Sequence, residues 1–276
     1  MYDKKIKRIL DVSIVVYGHS LSEIKSVLES LILSSKHAQI EALNVRVLDN
    51  KGCFDVKSLE AALNNDTFGF TINFEHTVRH DNPGYGVSNN ISIFEDSGYY
   101  HLILNPDVIF DENAIEVAIS QLEKNSNCIL VSPKILDSKG KVLSGIKQYP
   151  SLLVLVLRFL DISIFNNIFR KTLNAYSCQD VLDSDLITSA KIASGCCMMC
   201  RKKDLIEVCG FDEDFFLYFE DFDLSLRLGE KGTIYYNPNF VIKHFGGNTG
   251  KKGVKHISFF LRSMVRFFHK HGIKWI

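Results

Sequence analysis

The chain has 276 residues, and its 32 basic and 32 acidic side chains give a formal net charge of zero. This length is enough for one large domain with a full core, and the composition is that of an ordinary globular protein. The seven cysteines are odd in number and irregularly spaced, which argues against a disulfide framework. Residues 1–10 are too polar and charged for a secretory signal, so we expect a cytosolic, reduced protein.

Apolar runs alternate with helical periodicities along the first half of the chain. After the first run, Ser20 and Glu23 have the spacing of a capping box, and a helix follows with apolar residues three and four positions apart. A second amphipathic helix begins at Asp111. The runs predicted as strands cover residues 12–17, 45–48, 71–74 and 101–104. Strands that alternate with helices indicate an α/β fold with a mainly parallel central sheet flanked by helices.

The second half of the chain gives shorter and less regular signals. Residues 142–149 suggest an edge hairpin, and residues 151–173 suggest one or two very apolar helices. The most apolar window, residues 152–160, is too short to span a bilayer. The remaining predicted elements are a strand at residues 194–201, a helix at 203–208, strands at 234–236 and 240–243, and a helix at 253–272. We assign residues 1–250 to one domain and residues 251–276 to a separate C-terminal helix.

Two acidic motifs indicate a functional site. Residues 210–223 place six carboxylates among apolar and aromatic side chains, and burying an unpaired carboxylate is costly. These carboxylates therefore require a metal ion, a cationic partner, a hydrogen-bonding substrate or open solvent. The second motif, Asn105-Pro106-Asp107, follows directly after a predicted strand, at the edge where open α/β sheets bind their ligands.

These motifs resemble those of the inverting glycosyltransferases of family 2, which have the GT-A fold. Glu220-Asp221 lies in a string, beginning at Gly210, that matches the family's, and residues 82–90 are similar to its Asn-x-Gly-Phe-Gly segment. The likeness covers roughly residues 11–250 and is greatest to bacterial rhamnosyltransferases of O-antigen and cell-wall assembly. It implies transfer of L-rhamnose from dTDP-L-rhamnose to a saccharide on a polyprenyl diphosphate carrier. The enzyme would lie peripherally on the inner face of the bacterial cytoplasmic membrane.

The resemblance assigns the general base to Asp221, which would take the proton of the acceptor hydroxyl as it attacks. Glu220 can carry that role instead, and the sequence does not separate the two. A divalent cation, Mg²⁺ or Mn²⁺, is implied at Asp107 and His244, because the charge of a leaving diphosphate must be neutralised. Asn105 replaces the first acid of the family's metal motif. His244 can instead be a structural histidine.

The resemblance also implies a set of substrate-binding residues, most of them after predicted strands or in the segment rich in glycine and asparagine. Glycines let the backbone approach a ligand, and asparagine amides can bind base or sugar hydroxyls. The set consists of Val16, Tyr17, Asp49, Asn50, Asn82, Gly84, Tyr85, Gly86, Asn89, Asn90, Asn105 and Arg227.

Residues 251–276 carry seven lysines and arginines, including Lys251 and Lys252, and no acidic residue. The apolar face of the predicted helix consists of Ile257, Phe260, Leu261, Met264 and Phe268, with further aromatic rings at Phe259, Phe267 and Trp275. The opposite face consists of Arg262, Arg266, His269 and Lys270. This pattern is typical of a helix in the plane of an anionic membrane, which suits the aromatic residues better than nucleic acid does. The alternative is a helix packed on the core with a solvated basic face. Residues 152–169 offer apolar surface for the same membrane or for an acceptor's lipid.

Three other functions compete with this interpretation. A nucleotidyltransferase also uses a parallel sheet and metal-binding carboxylates, but residues 15–20 lack its glycine-rich, basic phosphate loop. A sugar-nucleotide-binding protein without activity would not need Asp221, and a membrane adaptor would leave both acidic motifs unused. Cys197 and Cys200 have metal-ligand spacing without a second pair, so we expect buried strand residues. The sequence leaves the donor sugar and the oligomeric state open.

Overall fold

The computed structural model describes residues 7–63, 69–160, 162–246 and 253–276. Its strands are β1 (Ile9–Val16), β2 (Ala42–Asp49), β3 (Thr71–Val78), β4 (Tyr100–Leu104), β5 (Val108–Phe110), β6 (Cys128–Leu136), β7 (Val142–Leu143), β8 (Ile146–Lys147), β9 (Thr188–Ala190), β10 (Ile192–Ala193), β11 (Cys197–Arg201) and β12 (Thr233–His244). Its helices are α1 (Leu21–Lys36), α2 (Val56–Leu63), α3 (Tyr85–Glu95), α4 (Ala114–Lys124), α5 (Leu152–Leu160), α6 (Ser163–Ile168), α7 (Arg170–Tyr176), α8 (Gln179–Leu182), α9 (Lys202–Glu207), α10 (Glu220–Gly229) and α11 (Gly253–His271).

The central sheet is mixed, and its main strand order within the described ranges is β3-β2-β1-β4-β11-β6-β12-β5. The pairs β2–β3, β1–β2 and β1–β4 are parallel, whereas β11 is antiparallel to both β4 and β6. β6 and β12 are parallel, and β5 is antiparallel to β12. The α/β class with a central sheet flanked by helices is confirmed. The antiparallel strands β11 and β5 make the sheet less parallel than the alternation of strands and helices predicted.

The strand register brings several chain segments to one edge of the sheet. Val16 pairs with Asp49, and Leu104 pairs with Ile14, so β1, β2 and β4 end at the same edge. Cys197, the first residue of the antiparallel strand β11, pairs with Leu104 at that edge. Ligands of open α/β sheets bind where parallel strands end. The functional side chains are therefore to be sought at this edge.

α1 packs against one face of the sheet because the apolar residues of this helix recur on one side of it. Its buried apolar residues are Ile24, Val27, Leu28, Leu31 and Ile32. Burying each such side chain contributes roughly 1.5–3 kcal/mol. The predicted capping box is confirmed, because Ser20 Oγ accepts the Glu23 N–H at 3.3 Å and the Glu23 carboxylate accepts the Ser20 N–H at 2.7 Å. Local sequence therefore fixes where this helix begins.

The predictions for the second half of the chain need three corrections. Residues 142–149 do not form a hairpin, because β7 pairs with β6 while β8 pairs with β10. Residues 151–173 form parts of three helices, α5, α6 and α7. The two strands predicted at residues 234–243 are one long strand, β12, whose register shifts between Asn237 and Val241. Pro238 lies in this shift and has no N–H to donate, so the chain bulges there without ending the strand.

The predicted C-terminal helix is confirmed as α11, but its inner face differs from the prediction. Phe267 is fully buried, although its sequence context suggested a membrane boundary. Phe267 and Phe268 join a core cluster with Leu155, Phe215 and Phe219. The exposed apolar residues of this helix are instead Val254, Ile257, Leu261 and Val265. The predicted domain boundary after residue 250, with Lys251 and Lys252, lies outside the described residues.

The chain end also stabilises the start of α5. The Leu152 N–H donates to the Lys274 carbonyl at 2.7 Å, and the Leu153 N–H donates to the Trp275 carbonyl at 3.2 Å. These N–H groups belong to the first turn of α5, where no partner exists within the helix. The terminal segment therefore joins α11 to the apolar helices α5 and α6. Among the described residues, no helix combines the length and hydropathy needed to span a bilayer.

Candidate active site

The turn after β2 surrounds the carboxylate of Asp49, which is fully buried. Its oxygens accept the backbone N–H groups of Lys51, Gly52 and Phe54 at 3.0, 2.9 and 2.8 Å. Burial alone would raise the pKa of Asp49, but these three donors and the nearby His76 outweigh it and hold the pKa below its usual range. Asp49 thus stays ionised and fixes the conformation of the turn after β2. Its contact with a nucleotide stays a prediction.

The predicted glycine and asparagine segment forms the start of α3. Gly84 has a φ of +103°, and a side chain there would clash with the Phe216 carbonyl. Only glycine adopts this conformation without strain in so narrow a space. Asn50 Oδ1 accepts the Ser88 hydroxyl at 2.7 Å, and a side chain at Gly86 would press on Phe211. The segment therefore packs directly against the acidic string of residues 210–223.

Asn89 and Asn90 hold this segment in place. Asn89 Oδ1 accepts the Ser13 hydroxyl at 2.6 Å, and its amide donates to the Tyr85 carbonyl at 2.9 Å. Asn90 accepts the Phe211 N–H at 2.8 Å and donates to the Phe211 carbonyl at 3.0 Å. Both side chains are buried and hydrogen-bonded to the protein. These bonds position the segment, and the predicted substrate contacts of Asn89 and Asn90 stay predictions.

The carboxylates of Glu220 and Asp221 lie at the first turn of α10. The two residues before them, Tyr218 and Phe219, have left-handed φ angles of 70° and 64°. Such conformations cost about 1–3 kcal/mol each and persist only where surrounding contacts impose them. Here the Phe219 ring packs 5.3 Å from the ring of Phe267 in α11. The strained turn at Tyr218 and Phe219 therefore sets the orientation of the Glu220 and Asp221 side chains, and α11 packs against this turn.

The segment of residues 194–196 connects the two acidic motifs. Asp221 Oδ2 accepts the Gly195 N–H at 2.9 Å, and the Cys196 carbonyl accepts the Asn105 N–H at 2.8 Å. Burial raises the pKa of the Cys196 thiol to about 11, and the charges of Asp107 and Asp221 both add to this effect. Asp221 and Asn105, which lies two residues before Asp107, are thus bonded to adjacent residues of one short loop. Asp107 and Asp221 are 114 positions apart in the sequence.

Glu220 and Asp221 differ in their protonation. Burial raises the pKa of Glu220 to about 8, and the negative charge of Asp221 raises it further. Glu220 Oε2 accepts no hydrogen bond from the described residues. Burial also raises the pKa of Asp221, but Lys147 and the N–H groups of Gly195 and Phe222 oppose this shift. At neutral pH Glu220 therefore holds a proton, and Asp221 is the better candidate for a base.

The implied metal ligands Asp107 and His244 meet where β5 begins and β12 ends. His244 Nε2 lies 3.0 Å from Asp107 Oδ1. That oxygen is buried and faces His244, but no described group has hydrogen-bond geometry to it, so Asp107 and His244 together would be available to a cation. The described residues contain no group of three or more His, Cys, Asp or Glu side chains placed to hold a metal alone. Two protein ligands fit a site that ligand oxygens complete.

The remaining predicted site residues are distributed around this edge. The Val16 carbonyl accepts the Asn50 N–H at 3.0 Å, and Tyr17 beyond it is 58% exposed. Asn82 lies in a turn with a φ of +43°. Arg227 is not brought to the carboxylate pair, because its guanidinium contacts Asp223 and the Val208 carbonyl. The predicted substrate contact of Arg227 stays a prediction.

The acidic string obtains its cationic partners from the C-terminal helix. Asp223 is fully buried, and Lys270 Nζ and His271 Nε2 lie 2.7 and 2.8 Å from its Oδ1. The same Lys270 ammonium lies 2.6 Å from Asp212 Oδ2. Partners of opposite charge offset the cost of removing a carboxylate from water. Lys270 remains partly exposed, as predicted, but its ammonium pairs with the acidic string.

Sequence reasoning missed Lys147 and the hydroxyl of Tyr85. Tyr85 donates to the Gly195 carbonyl at 2.7 Å and so fixes the loop that holds Asp221. Lys147 lies on the two-residue strand β8, and its charge opposes the rise in the pKa of Asp221. A lone lysine in a two-residue strand gives no periodic pattern in the sequence. Its position near Asp221 follows only from the pairing of β8 with β10. Cys197 and Cys200 are buried in β11, as predicted.

We predict that Glu220 makes stability depend on pH. Its pKa in the folded protein, about 8, lies above its ordinary value of 4.5. Stability from this group is complete below pH 4.5 and is lost as the pH rises through 8. Glu220→Gln should therefore unfold at a higher temperature than the wild type at pH 9, with little difference at pH 5. Glu230→Gln, at the exposed residue directly after the end of α10, is the control; equal melting temperatures of wild type and Glu220→Gln at pH 9 would contradict the prediction.

No protein-family profile matches the chain. Among curated proteins, it is 26% identical over 209 residues to N-acetylglucosaminyl-diphospho-decaprenol L-rhamnosyltransferase of Mycobacterium tuberculosis, a match that covers 70% of this chain. The matched region spans 66% of that relative, slightly under two thirds of its length. The chain is also 25% identical over 273 residues to rhamnosyltransferase WbbL of Escherichia coli, covering 94% of this chain and 92% of WbbL.

The fold has a counterpart among solved structures. The crystal structure of GalNAc-T7 with UDP, GalNAc and Mn²⁺ superimposes with a TM-score of 0.63 and 13% identity, over 97% of this chain and 48% of that one. The fold is therefore that of the GT-A glycosyltransferases, as the sequence predicted. Within this class the chain is similar to rhamnosyltransferases, which confirms the predicted resemblance to family 2.

Proposed function

We propose that the chain is a metal-dependent, inverting glycosyltransferase with Asp221 as its general base. One observation supports this most directly: Asp221 and Asn105, two residues before Asp107, bond to adjacent residues of the loop 194–196 at the edge where the parallel strands end. An inverting transfer needs a base on the acceptor side of the sugar and a neutralised diphosphate on the other. Asp221 and Asp107 provide one carboxylate for each requirement. The names of both relatives support glycosyl transfer.

The protein's own groups perform distinct tasks in this mechanism. The Gly195 and Phe222 N–H groups orient the Asp221 carboxylate, which accepts the proton of the attacking hydroxyl. Neighbouring Glu220 keeps its proton at neutral pH and so adds no second negative charge beside the base. Asp107 and His244 would hold Mg²⁺ or Mn²⁺, which supplies charge neutralisation for the leaving diphosphate when bound. Asn105, one residue before Pro106, remains a candidate contact to the donor.

The proposed donor is dTDP-L-rhamnose, and the proposed acceptor is a saccharide on a polyprenyl diphosphate. The M. tuberculosis relative is named for transfer of L-rhamnose to N-acetylglucosaminyl-diphospho-decaprenol, and WbbL is named a rhamnosyltransferase. The solved structure of the GalNAc-T7 neighbour contains UDP and Mn²⁺, which is consistent with a nucleotide diphosphate and a divalent cation on this fold. The donor assignment rests on these likenesses and on the two carboxylates described above.

The function is tested by incubating the protein with a panel of sugar nucleotides and a farnesyl diphosphate-linked N-acetylglucosamine acceptor in Mg²⁺ or Mn²⁺. We expect glycosylated acceptor with dTDP-L-rhamnose and none with EDTA, since without the cation the charge of the leaving diphosphate is not neutralised. Product formation with another donor would replace the donor assignment. No product and no donor hydrolysis with any sugar nucleotide would contradict the proposed function.

We further propose that the protein lies peripherally on the anionic cytoplasmic face of the bacterial membrane. The apolar residues of helices α5 and α6 include a large exposed set. The set is Val156, Phe159, Leu160, Ile162, Ile164, Phe165 and Ile168. Trp275, 66% exposed, lies beside the start of α5 because its carbonyl accepts the Leu153 N–H. Apolar side chains and an interfacial tryptophan suit the boundary between headgroups and acyl chains. Exposed apolar patches of this kind also occur at protein interfaces.

We predict that Phe159→Glu with Ile164→Glu abolishes binding to vesicles of phosphatidylglycerol and phosphatidylethanolamine. Both side chains are exposed, so the substitutions should leave the core intact while placing charges in the membrane boundary. Leu33→Glu with Ile206→Glu adds the same charge at exposed apolar sites on α1 and α9 and serves as the control. Flotation of the first variant with vesicles, at the level of the wild type, would contradict the membrane assignment.

A further inference from the structure

Lys147 is a cation beside the proposed base with no ion-pair partner among the described residues. It pairs with Ile192 across β8 and β10, and the Ser194 N–H donates to the Gly145 carbonyl at 2.8 Å. Its strand is thus bonded to the loop that holds Asp221. The Lys147 ammonium lies 5.5 Å from the centroid of the Phe222 ring, one residue after Asp221. Lys147 therefore points toward the first turn of α10.

Arg158 on α5 is a second cation near Lys147. Its guanidinium lies 5.6 Å from the centroid of the Tyr176 ring, and the Tyr176 carbonyl accepts the Gln148 N–H at 2.9 Å. Tyr176 therefore connects the helix of Arg158 to the residue after Lys147. Burial lowers the pKa of Lys147, and the positive charge of Arg158 lowers it further, whereas Asp221 opposes the shift. Arg158 also forms no ion pair within the described ranges.

The buried cations elsewhere in the chain have carboxylate partners within ion-pair distance, whereas Lys147 is half-buried and Arg158 is exposed. The Lys202 ammonium lies 2.8 Å from Asp11, and Arg46 and Arg201 also have carboxylate partners. The like charges of Lys147 and Arg158 repel each other, and burial adds a desolvation cost at Lys147. An anion that binds between them removes both penalties. Lysine and arginine together bind phosphate oxygens through charge-assisted hydrogen bonds.

The surroundings of this pair indicate which anion it binds. On one side lies Asp221, where the acceptor hydroxyl would lose its proton. On the other side, directly after Arg158, come the exposed apolar residues Phe159 and Leu160 of α5. The donor diphosphate belongs with Asp107, at the other end of the loop of residues 194–196. The pair thus lies between the reacting sugar and an apolar surface.

We propose that Lys147 and Arg158 bind the diphosphate of the acceptor, with its sugar at Asp221 and its lipid along α5. This inference rests on the proposed function for the identity of the acceptor. It assigns substrate recognition to two residues that lie outside both acidic motifs. It also explains why a short strand and an apolar helix adjoin the base.

The test measures binding, so it does not depend on transfer. Farnesyl diphosphate is titrated calorimetrically into the full chain and into Lys147→Met with Arg158→Met. We expect the double variant to bind about tenfold more weakly or worse, the range of charge-assisted hydrogen bonds. Lys231→Met with Arg262→Met, which alters one lysine and one arginine elsewhere on the exposed surface, should bind as the wild type does. Circular dichroism checks the fold of each variant.

Three results would overturn the proposal. The first is equal binding of farnesyl diphosphate by wild type and double variant. The second is a loss confined to dTDP, which would assign the pair to the donor. The third is binding of glycerol phosphate with the same dependence on the pair, which would indicate a general site for lipid headgroups. If the double variant loses farnesyl diphosphate while no sugar is transferred by the wild type, the proposed function fails and the diphosphate site stands.

Discussion

Asp221→Asn is expected to lower turnover by roughly 10²–10⁴-fold, the range attributed to general acid–base catalysis. The amide still offers an oxygen to the Gly195 N–H, which the carboxylate accepts at 2.9 Å, so the loop should keep its position. What disappears is the ability to accept a proton from the acceptor hydroxyl. The donor's KM should change little, because Asp107 and His244 hold the other side of the site. Steady-state kinetics with a soluble acceptor measures both quantities.

Two further variants make this result interpretable. Asp137→Asn removes an exposed carboxylate that likewise accepts two backbone N–H groups, and it should retain full activity. Glu220→Gln separates the two candidate bases. It should keep most of the turnover, because Glu220 already holds a proton at neutral pH. A large loss in Glu220→Gln together with normal turnover in Asp221→Asn would transfer the role of base to Glu220.

Phe267→Ala is expected to destabilise the protein by about 3–5 kcal/mol, the cost of emptying a fully buried phenylalanine site. Its ring contacts Phe219 at 5.3 Å and Phe222 at 6.0 Å, the residues on either side of Glu220 and Asp221. Since a folded domain is stable by only about 5–15 kcal/mol, this is a large fraction of the total. Loss of the ring should also loosen the strained turn at Tyr218 and Phe219. Urea unfolding measures the free energy of unfolding.

The matched control for this prediction lies on the same helix. Leu261→Ala removes an apolar side chain that is 46% exposed, and it should change the free energy of unfolding by no more than about 0.5 kcal/mol. If α11 bound membranes and contributed nothing to the fold, both variants would show similar small changes in the free energy of unfolding. Such an outcome would contradict the packing of α11 on the acidic string.

Periodicity and capping predicted most elements of the first half of the chain. The reason is physical: apolar spacing and side-chain caps act within a few residues, as Ser20 and Glu23 do at the start of α1. The predictions failed where distant partners decide the structure. β8 pairs with β10, about 45 residues further along the chain, and not with the adjacent β7. Residues 234–236 and 240–243 were predicted as two strands, yet β6 pairs with one strand, β12, on both sides of Pro238.

The sequence also located the candidate site, because the carboxylates of its two motifs are an unusual composition for a core. It did not reveal how those carboxylates are satisfied. Lys270 and His271, which the sequence places on a basic tail, turn inward to Asp223. Asn89 and Asn90, which look like ligand contacts, bond to Ser13 and Phe211. In each case the partner is more than 45 residues away along the chain.

By itself the sequence determined the α/β class, the positions of the main strands and the two acidic motifs, since each depends on residue type and short-range spacing. The tertiary structure decided which charges meet. Strand order brings Asp221 and Asn105, two residues before Asp107, to one loop, and the docking of α11 gives the acidic string its cations. The same packing leaves Lys147 and Arg158 without an ion-pair partner among the described residues. Electrostatic interactions depend on distances in space, and those distances are set only when the sheet and its helices have packed.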